Sequence, residues 1–197
     1  MRFSRDYIFN ACVQRKQNER FLRFLYAVLK DFDFNPQTIV EFGVGDCELA
    51  RKVSKSYLPE RFYLVDVVSD FIEIGKREVL NAVPVVKDFR VVEVSDFAES
   101  VDLIYSSNSF HWMPYFSFER ENPWIEFMKK LYSFLKEGGF LIFHHGLKWS
   151  YFPLYDLAGE LYQARYGKKV NISKYLFYPS PFEIRCFLEN IGFKFVR

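Results

Sequence analysis

The chain has 197 residues, half of them hydrophobic and 26% charged, with a net charge of +2 at pH 7. That balance describes one globular domain, residues 1–197, able to bury its own core, and it is too mildly basic to argue for a nucleic-acid partner. Three scattered cysteines, with no Cys-x-x-Cys pair, argue against a disulfide framework or a metal site and point to a reducing cytoplasm. No apolar run reaches the ~20 residues of a membrane span. Arg2, Arg5 and Asp6 interrupt any signal-peptide pattern. Aromatics make up 20%, with 24 Phe, which reads as a Phe-rich core or, in part, an apolar substrate channel.

From about Tyr7 to Lys30, the residues Phe21, Leu22, Phe24, Leu25, Val28 and Leu29 recur at helical spacing and predict one helix with a single apolar face. Arg15, Lys16, Arg20 and Arg23 fall mostly off that face and read as solvated surface. Asn35-Pro36-Gln37 breaks the chain. Strands and helices then alternate: strand Thr38–Phe42, helix Cys47–Ser56, strand Phe62–Val65, helix Asp70–Leu80 and strand Pro84–Lys87. Strand Val101–Ser106 and helix Trp124–Lys136 follow, with Gly138-Gly139 stopping the helix before strand Phe140–Phe143. The alternation predicts an α/β fold, a Rossmann-like, mostly parallel sheet with helices on both faces. Residues 148–178 break the rhythm, with one helical stretch at Leu154–Ala164, and read as a helical lid inserted after the fifth strand. Residues 1–35 form an N-terminal helical cap. Ser180-Pro-Phe-Glu183 is a helix start with a capping box, Gly192 ends that helix, and Phe193–Val196 is a last strand.

The segment Ile39-Val-Glu-Phe-Gly-Val-Gly-Asp-Cys-Glu48 runs a buried strand into an acid and then two glycines one residue apart. A glycine lets the backbone approach a ligand that a Cβ would push away. Such a loop at a strand end is where an open α/β sheet binds a nucleotide-like cofactor. A dinucleotide site wants a third glycine; Glu48 stands there and would repel a pyrophosphate. No Gly-Lys-Ser/Thr follows, which excludes a P-loop.

These residues resemble the class I S-adenosylmethionine-dependent methyltransferases. Their first motif is similar to Glu41-Phe-Gly-Val-Gly-Asp-Cys47, with Cys47 in place of the last glycine. The second is an acid closing the second strand, here Tyr63-Leu-Val-Asp66, about 20 residues after the loop. Val85-Val-Lys-Asp88-Phe89, Val101-Asp-Leu-Ile-Tyr-Ser-Ser-Asn-Ser-Phe-His-Trp112 and Leu131–Phe143 match the later motifs in order. The resemblance implies S-adenosylmethionine as cofactor. It implies that Gly43, Val44 and Gly45 line its methionine and ribose parts, Asp66 the ribose hydroxyls, Asp88 the adenine amino group and Phe89 the ring. Glu41, Val67 and Ser106 complete the cofactor set, and Asn108, His111 and Trp112 border the methyl group. Other readings stay open: Asp66 as a helix cap, Asp88 as a turn residue, and His111 and Trp112 as packing. Asp102 reads as structural, and no metal is expected from the adjacent His144 and His145.

Upstream, Tyr7-x-x-x-Ala11-x-x-Gln14-Arg15 is similar to the N-terminal helix of the malonyl-acyl-carrier-protein O-methyltransferases of biotin synthesis. That resemblance implies Tyr7 near the methyl, Gln14 near the methionine part, a carboxylate acceptor and an acidic carrier protein as partner. Lys148, Arg165, Lys168, Lys169 and Lys174 would dock the carrier or else be soluble surface. A carboxylate acceptor is already ionised at neutral pH and needs no strong base; a hydroxyl or amine would call on His111. Two rivals remain, a nucleic-acid or protein methyltransferase and a non-catalytic methyltransferase-like subunit. The single strand after the last helix leaves a six-stranded sheet, a truncated chain or a partner chain completing the sheet edge.

Overall fold

In the computed structural model the described residues are 4–98, 100–110, 123–146, 152–168 and 180–194, with side chains described from residue 14 in the first stretch and from residue 159 in the fourth. A long helix α1 (Ser4–Asp31) leads into β1 (Thr38–Phe42), α2 (Glu48–Tyr57), β2 (Arg61–Asp66), α3 (Ser69–Glu78) and β3 (Ala82–Val86). Two 3-10 turns, Phe89–Val91 and Val94–Asp96, precede β4 (Val101–Ser107), α4 (Pro123–Phe134), β5 (Leu135–His144), α5 (Phe152–Tyr166) and α6 (Pro181–Ile191). The five strands are all parallel, in the order β3-β2-β1-β4-β5. Among the described residues no helix is long and apolar enough to cross a membrane.

Alternation along each strand divides the core in two. Ile39, Phe62, Leu64 and Leu103 join Leu25 and Leu29 of α1, Val53 of α2 and Ile72 of α3 on one face. Val40, Phe42, Tyr63 and Ile104 join Trp124, Phe127, Phe134 and Leu188 on the other. The second face absorbs much of the phenylalanine excess. Phe110 and Phe127 meet edge to face at 5.2 Å, as do Tyr63 and Phe97 at 5.1 Å. Pairs of this kind add roughly 0.5–1.5 kcal/mol each beyond the area they bury.

Three expectations are corrected. Phe24 is 48% exposed. It lies about 100° around the helix from the centre of the buried stripe Phe21, Leu22, Leu25, Val28 and Leu29. Second, α4 ends at Phe134, not at the glycine pair, and β5 begins at once. Val101 pairs with Leu135 but Leu103 with Phe140, so the glycines lie in a bulge, where Gly138 takes φ +76°. The bulge brings Lys136 2.9 Å from Asp102. Asp102 also accepts the Gln37 and Thr38 amides at 2.9 and 2.7 Å, so it is structural. Third, Phe193 and Lys194 carry no strand, and residues 195–197 lie outside the described residues.

The capping box at Ser180 forms as expected: Ser180 Oγ accepts the Glu183 amide at 3.2 Å, and Glu183 Oε2 accepts the Ser180 amide at 2.7 Å. In α5, the side chains of residues 160–166 are exposed.

Candidate active site

The strand order reverses at β1, whose chain leaves towards β2 on one side and returns through β4 on the other. Ligands of open α/β sheets bind outside the carboxyl ends of the strands at such a point. A narrow cleft, partly open to solvent, lies there. Its floor is Glu41, Gly43, Val44 and Asp46 of β1 and its loop; Leu49 of α2 and Ser107 of β4 flank it, and Gln14 and Asn18 of α1 cover it.

The loop needs its glycine. Gly43 takes φ +74° and donates its amide to the Val65 carbonyl at 2.8 Å, extending the β1–β2 ladder. A Cβ there would sit 2.0 Å from Ser109 Oγ. Gly45, at φ +51°, donates its amide to Asp66 Oδ2 at 3.3 Å, and Val68 donates to Oδ1 at 2.9 Å. Asp66 is not on the cleft lining; it ties the glycine loop to the start of α3, with the Val44 and Val67 amides also turned to its carboxylate. Burial holds its carboxyl above the usual range, offset by these backbone bonds. Val67 beside it is 67% exposed.

Glu41 is buried, 1% exposed, and accepts a hydrogen bond from Tyr105 Oη at 2.7 Å. Burial chiefly, then the nearby Asp46 and Asp66, push its carboxyl up to about 8 against the lowering effect of Tyr105. Cys47 takes φ 59°, a conformation glycine adopts freely and another residue at a cost of about 1 kcal/mol. Its thiol donates to the Phe71 carbonyl of α3 at 3.2 Å, turned towards Gly75. Burial pushes that thiol up to about 12, so it remains protonated and is no nucleophile.

Helix α1 is pinned over this rim by side chains. Asn108 Nδ2 donates to Gln17 Oε1 at 2.8 Å, and Ser107 Oγ to Asn18 Oδ1 at 3.2 Å. Asn108 turns the chain at φ +56°, its amide donating to the His144 carbonyl at 3.1 Å. Ser106 faces away from the cleft; it is buried and donates to the Phe42 carbonyl at 2.9 Å. At the β3 rim, Asp88 Oδ1 accepts the Arg90 amide at 3.0 Å and Nε at 2.9 Å. The guanidinium holds the Asp88 carboxyl below its usual range. Phe89 packs on Phe127, ring centres 5.3 Å apart. Tyr7 lies in α1, but its side chain, like His111 and Trp112, is outside the described residues. So are Lys148, Lys169 and Lys174, while Arg165 and Lys168 are exposed. Among the described residues no group of His, Cys, Asp and Glu could hold a metal ion.

The methyltransferase-domain family matches residues 40–141 of this sequence. The chain belongs to that family. A malonyl-[acyl-carrier protein] O-methyltransferase of Anoxybacillus flavithermus is 29% identical over 91 residues, 46% of this chain and 35% of the relative, so the match spans about a third of that protein. Two solved methyltransferases share the fold. A plantazolicin methyltransferase bound to S-adenosylhomocysteine superposes with TM-score 0.65 at 18% identity, covering 95% of this chain and 69% of its own. The magnesium protoporphyrin IX methyltransferase of Synechocystis PCC 6803, with the same ligand, gives 0.62 at 14%, covering 93% and 76%.

Four residues of this methyltransferase cleft escaped the motif reading: Asn18, Asp46, Leu49 and Ser107. Asp46 and Leu49 follow the glycine loop by one and four residues, where a loop closing into a helix must return to the strand end. Ser107 is one step from Ser106, and alternation along the strand decides which of the two serines reaches the cleft. Asn18 lies one helical turn beyond Gln14 on the same face of α1.

Proposed function

We propose that the chain binds S-adenosylmethionine in the cleft under α1 and transfers its methyl group to a carboxylate of a small or carrier-protein-bound substrate. The observation that carries the reading is the glycine loop held by Asp66 at the switch point, with acids and no lysine or arginine among the described residues that line the cleft below α1. An acidic, narrow cleft fits a cofactor that is cationic at its sulfonium and amino group. The donor supplies an already activated methyl group, so the protein's work is binding, alignment and exclusion of water. Gly43 lets Ser109 pack against the loop, Asp66 holds that loop at the strand end and would meet the ribose hydroxyls, and Gln14 and Asn18 face the cleft from α1. The carboxylate acceptor is supported by the 29% identity to a malonyl-carrier-protein methyltransferase and by the sequence of α1 around Tyr7 and Gln14.

The test has two stages. Titration calorimetry with S-adenosylhomocysteine must give a saturable heat; none, together with no thermal shift, sinks the cofactor assignment. Methyl-labelled cofactor is then incubated with malonyl-carrier protein beside panels of free carboxylic acids, amines and hydroxyl compounds. Label in the carrier protein alone supports the finer reading, and label only in amines or hydroxyls overturns it.

A further inference from the structure

β5 ends next to the cleft, on the side of β4 away from β1 and β2. His144 closes β5 and stands in register with Ser107, the β4 residue on the cleft lining, about 4.8 Å away across the ladder. Both side chains lie on the sheet face that α1 covers. Ser107 bonds to Asn18 of α1, and the His144 imidazole stacks on Phe21 of α1, the rings 25° from parallel with centres 6.4 Å apart. Phe21 also packs on Tyr105 of β4 at 6.2 Å, so the ring that backs His144 is itself held. The Asn108 amide fixes the His144 carbonyl at 3.1 Å.

The two ring nitrogens differ. Nδ1 is buried and has no hydrogen-bond partner among the described residues, whereas Nε2 is the nitrogen that reaches solvent in this partly exposed residue. A neutral imidazole carries a single N–H, and a buried N–H without an acceptor is rarer than an unused lone pair. The proton therefore sits on Nε2. The accessible edge of the ring is a donor, and its lone pair is turned out of a substrate's reach. Such a ring can bind an oxygen anion but cannot take a proton from a hydroxyl or an amine.

We propose that His144 donates its Nε2–H to the carboxylate of the methyl acceptor and so selects a carboxylate over an amine or a hydroxyl. The proposal rests on the cofactor reading above. There Asp66 meets the ribose on the β2 side of the loop, so an acceptor aligned with the methyl group comes from the opposite side, where β4 and β5 end.

The chain has three histidines, His111, His144 and His145, so nitrogen NMR of the imidazoles follows each one, assigned by single substitutions. In the free protein His144 should show the Nε2–H tautomer. In the S-adenosylhomocysteine complex, malonyl-N-acetylcysteamine, a thioester with a free carboxylate, should move the His144 Nε2 signal saturably. Acetyl-N-acetylcysteamine, which lacks that carboxylate, and ethanolamine should not. His144→Phe keeps a ring against Phe21 but no donor; it should weaken the malonyl thioester roughly ten- to a hundredfold and leave S-adenosylhomocysteine binding within about twofold. His144→Gln, whose amide nitrogen can reach the Nε2 position, should recover most of that loss, and His144→Asn, whose amide falls at Nδ1, should not. A merely structural His144 would instead weaken S-adenosylhomocysteine and the malonyl thioester alike in every variant. An Nδ1–H tautomer, or a His144 signal that the malonyl thioester leaves unmoved in the complex, overturns the proposal while the cofactor reading stands. If S-adenosylhomocysteine itself gives no saturable heat, the cofactor reading fails and takes the proposal with it. The spectrum of the parent protein decides the contact even where a variant does not fold.

Discussion

The rim of β1 and β2 and the rim of β3 carry the same signal in the sequence, an acid closing an apolar strand, yet the fold uses them differently. At the first rim Glu41 is buried and Asp66 accepts one backbone amide from the glycine loop, Gly45, and one from the start of α3, Val68. At the second, Asp88 is held by Arg90 two residues on, in an ion pair exposed to solvent, and Phe89 is taken up by the aromatic core. An acid whose partners are backbone amides from other segments fixes the shape of a site. An acid whose partner is a nearby flexible guanidinium fixes only its own turn.

The comparison breaks most sharply at Gly43. Gly43→Val puts a branched Cβ against Ser109 at positive φ, and should cost about 3 kcal/mol or more in urea unfolding. Gly138→Ala shares the positive φ, +76°, but its Cβ meets nothing within 4 Å, so about 1 kcal/mol is expected. Equal losses would show that backbone strain, not close approach, makes Gly43 necessary.

Glu41 comes next. Its folded pKa, about 8, lies above the ordinary value of 4.5. The native state therefore holds a proton that the unfolded chain releases, and that stabilisation is full below about pH 4.5 and lost as pH rises through about 8. Glu41→Gln has no such proton to lose. Without ligand it should match the parent protein near pH 4.5 and be about 2–4 kcal/mol more stable near pH 8, read by urea unfolding at both. A variant less stable at both pH values would mean that Glu41 is ionised in the fold.

Asp66→Ala should weaken S-adenosylhomocysteine binding by ~1.5–3 kcal/mol, because it removes both the ligand's acceptor and the tie on Gly45. An unchanged dissociation constant would end its role at the site.

The β1 rim was legible in the sequence because its partners lie along one continuous motif. The glycines, the acid before them and the acid closing the next strand have spacings fixed by strand and turn geometry. Ser106, expected beside the cofactor, donates to the Phe42 carbonyl across the sheet, and Ser107 lines the cleft; only register decides which of two adjacent serines does so. Phe24 and the end of α4 failed for related reasons. The apolar stripe of α1 was drawn too wide, and Gly138-Gly139 reads equally as a helix stop or as a bulge until Asp102 is seen bonded to Gln37 and Thr38. The odd Cys47 was visible by its type, but its Phe71 partner, on the next helix, was not.

The smallest effect belongs to the β3 rim. The Asp88–Arg90 pair is half open to water, so Asp88→Ala should cost the fold less than about 1 kcal/mol, and less again at high salt. Its effect on ligand binding discriminates more. If Asp88 turns to a donor on the ligand, it must first leave Arg90, and Arg90→Ala would then tighten S-adenosylhomocysteine binding while Asp88→Ala weakens it. If Asp88 is only a turn residue, both variants should bind as the parent protein does, within the same ~1 kcal/mol. Opposite shifts in the two variants would extend the site from the β1 rim to β3; parallel shifts would confine the working acids to Glu41 and Asp66.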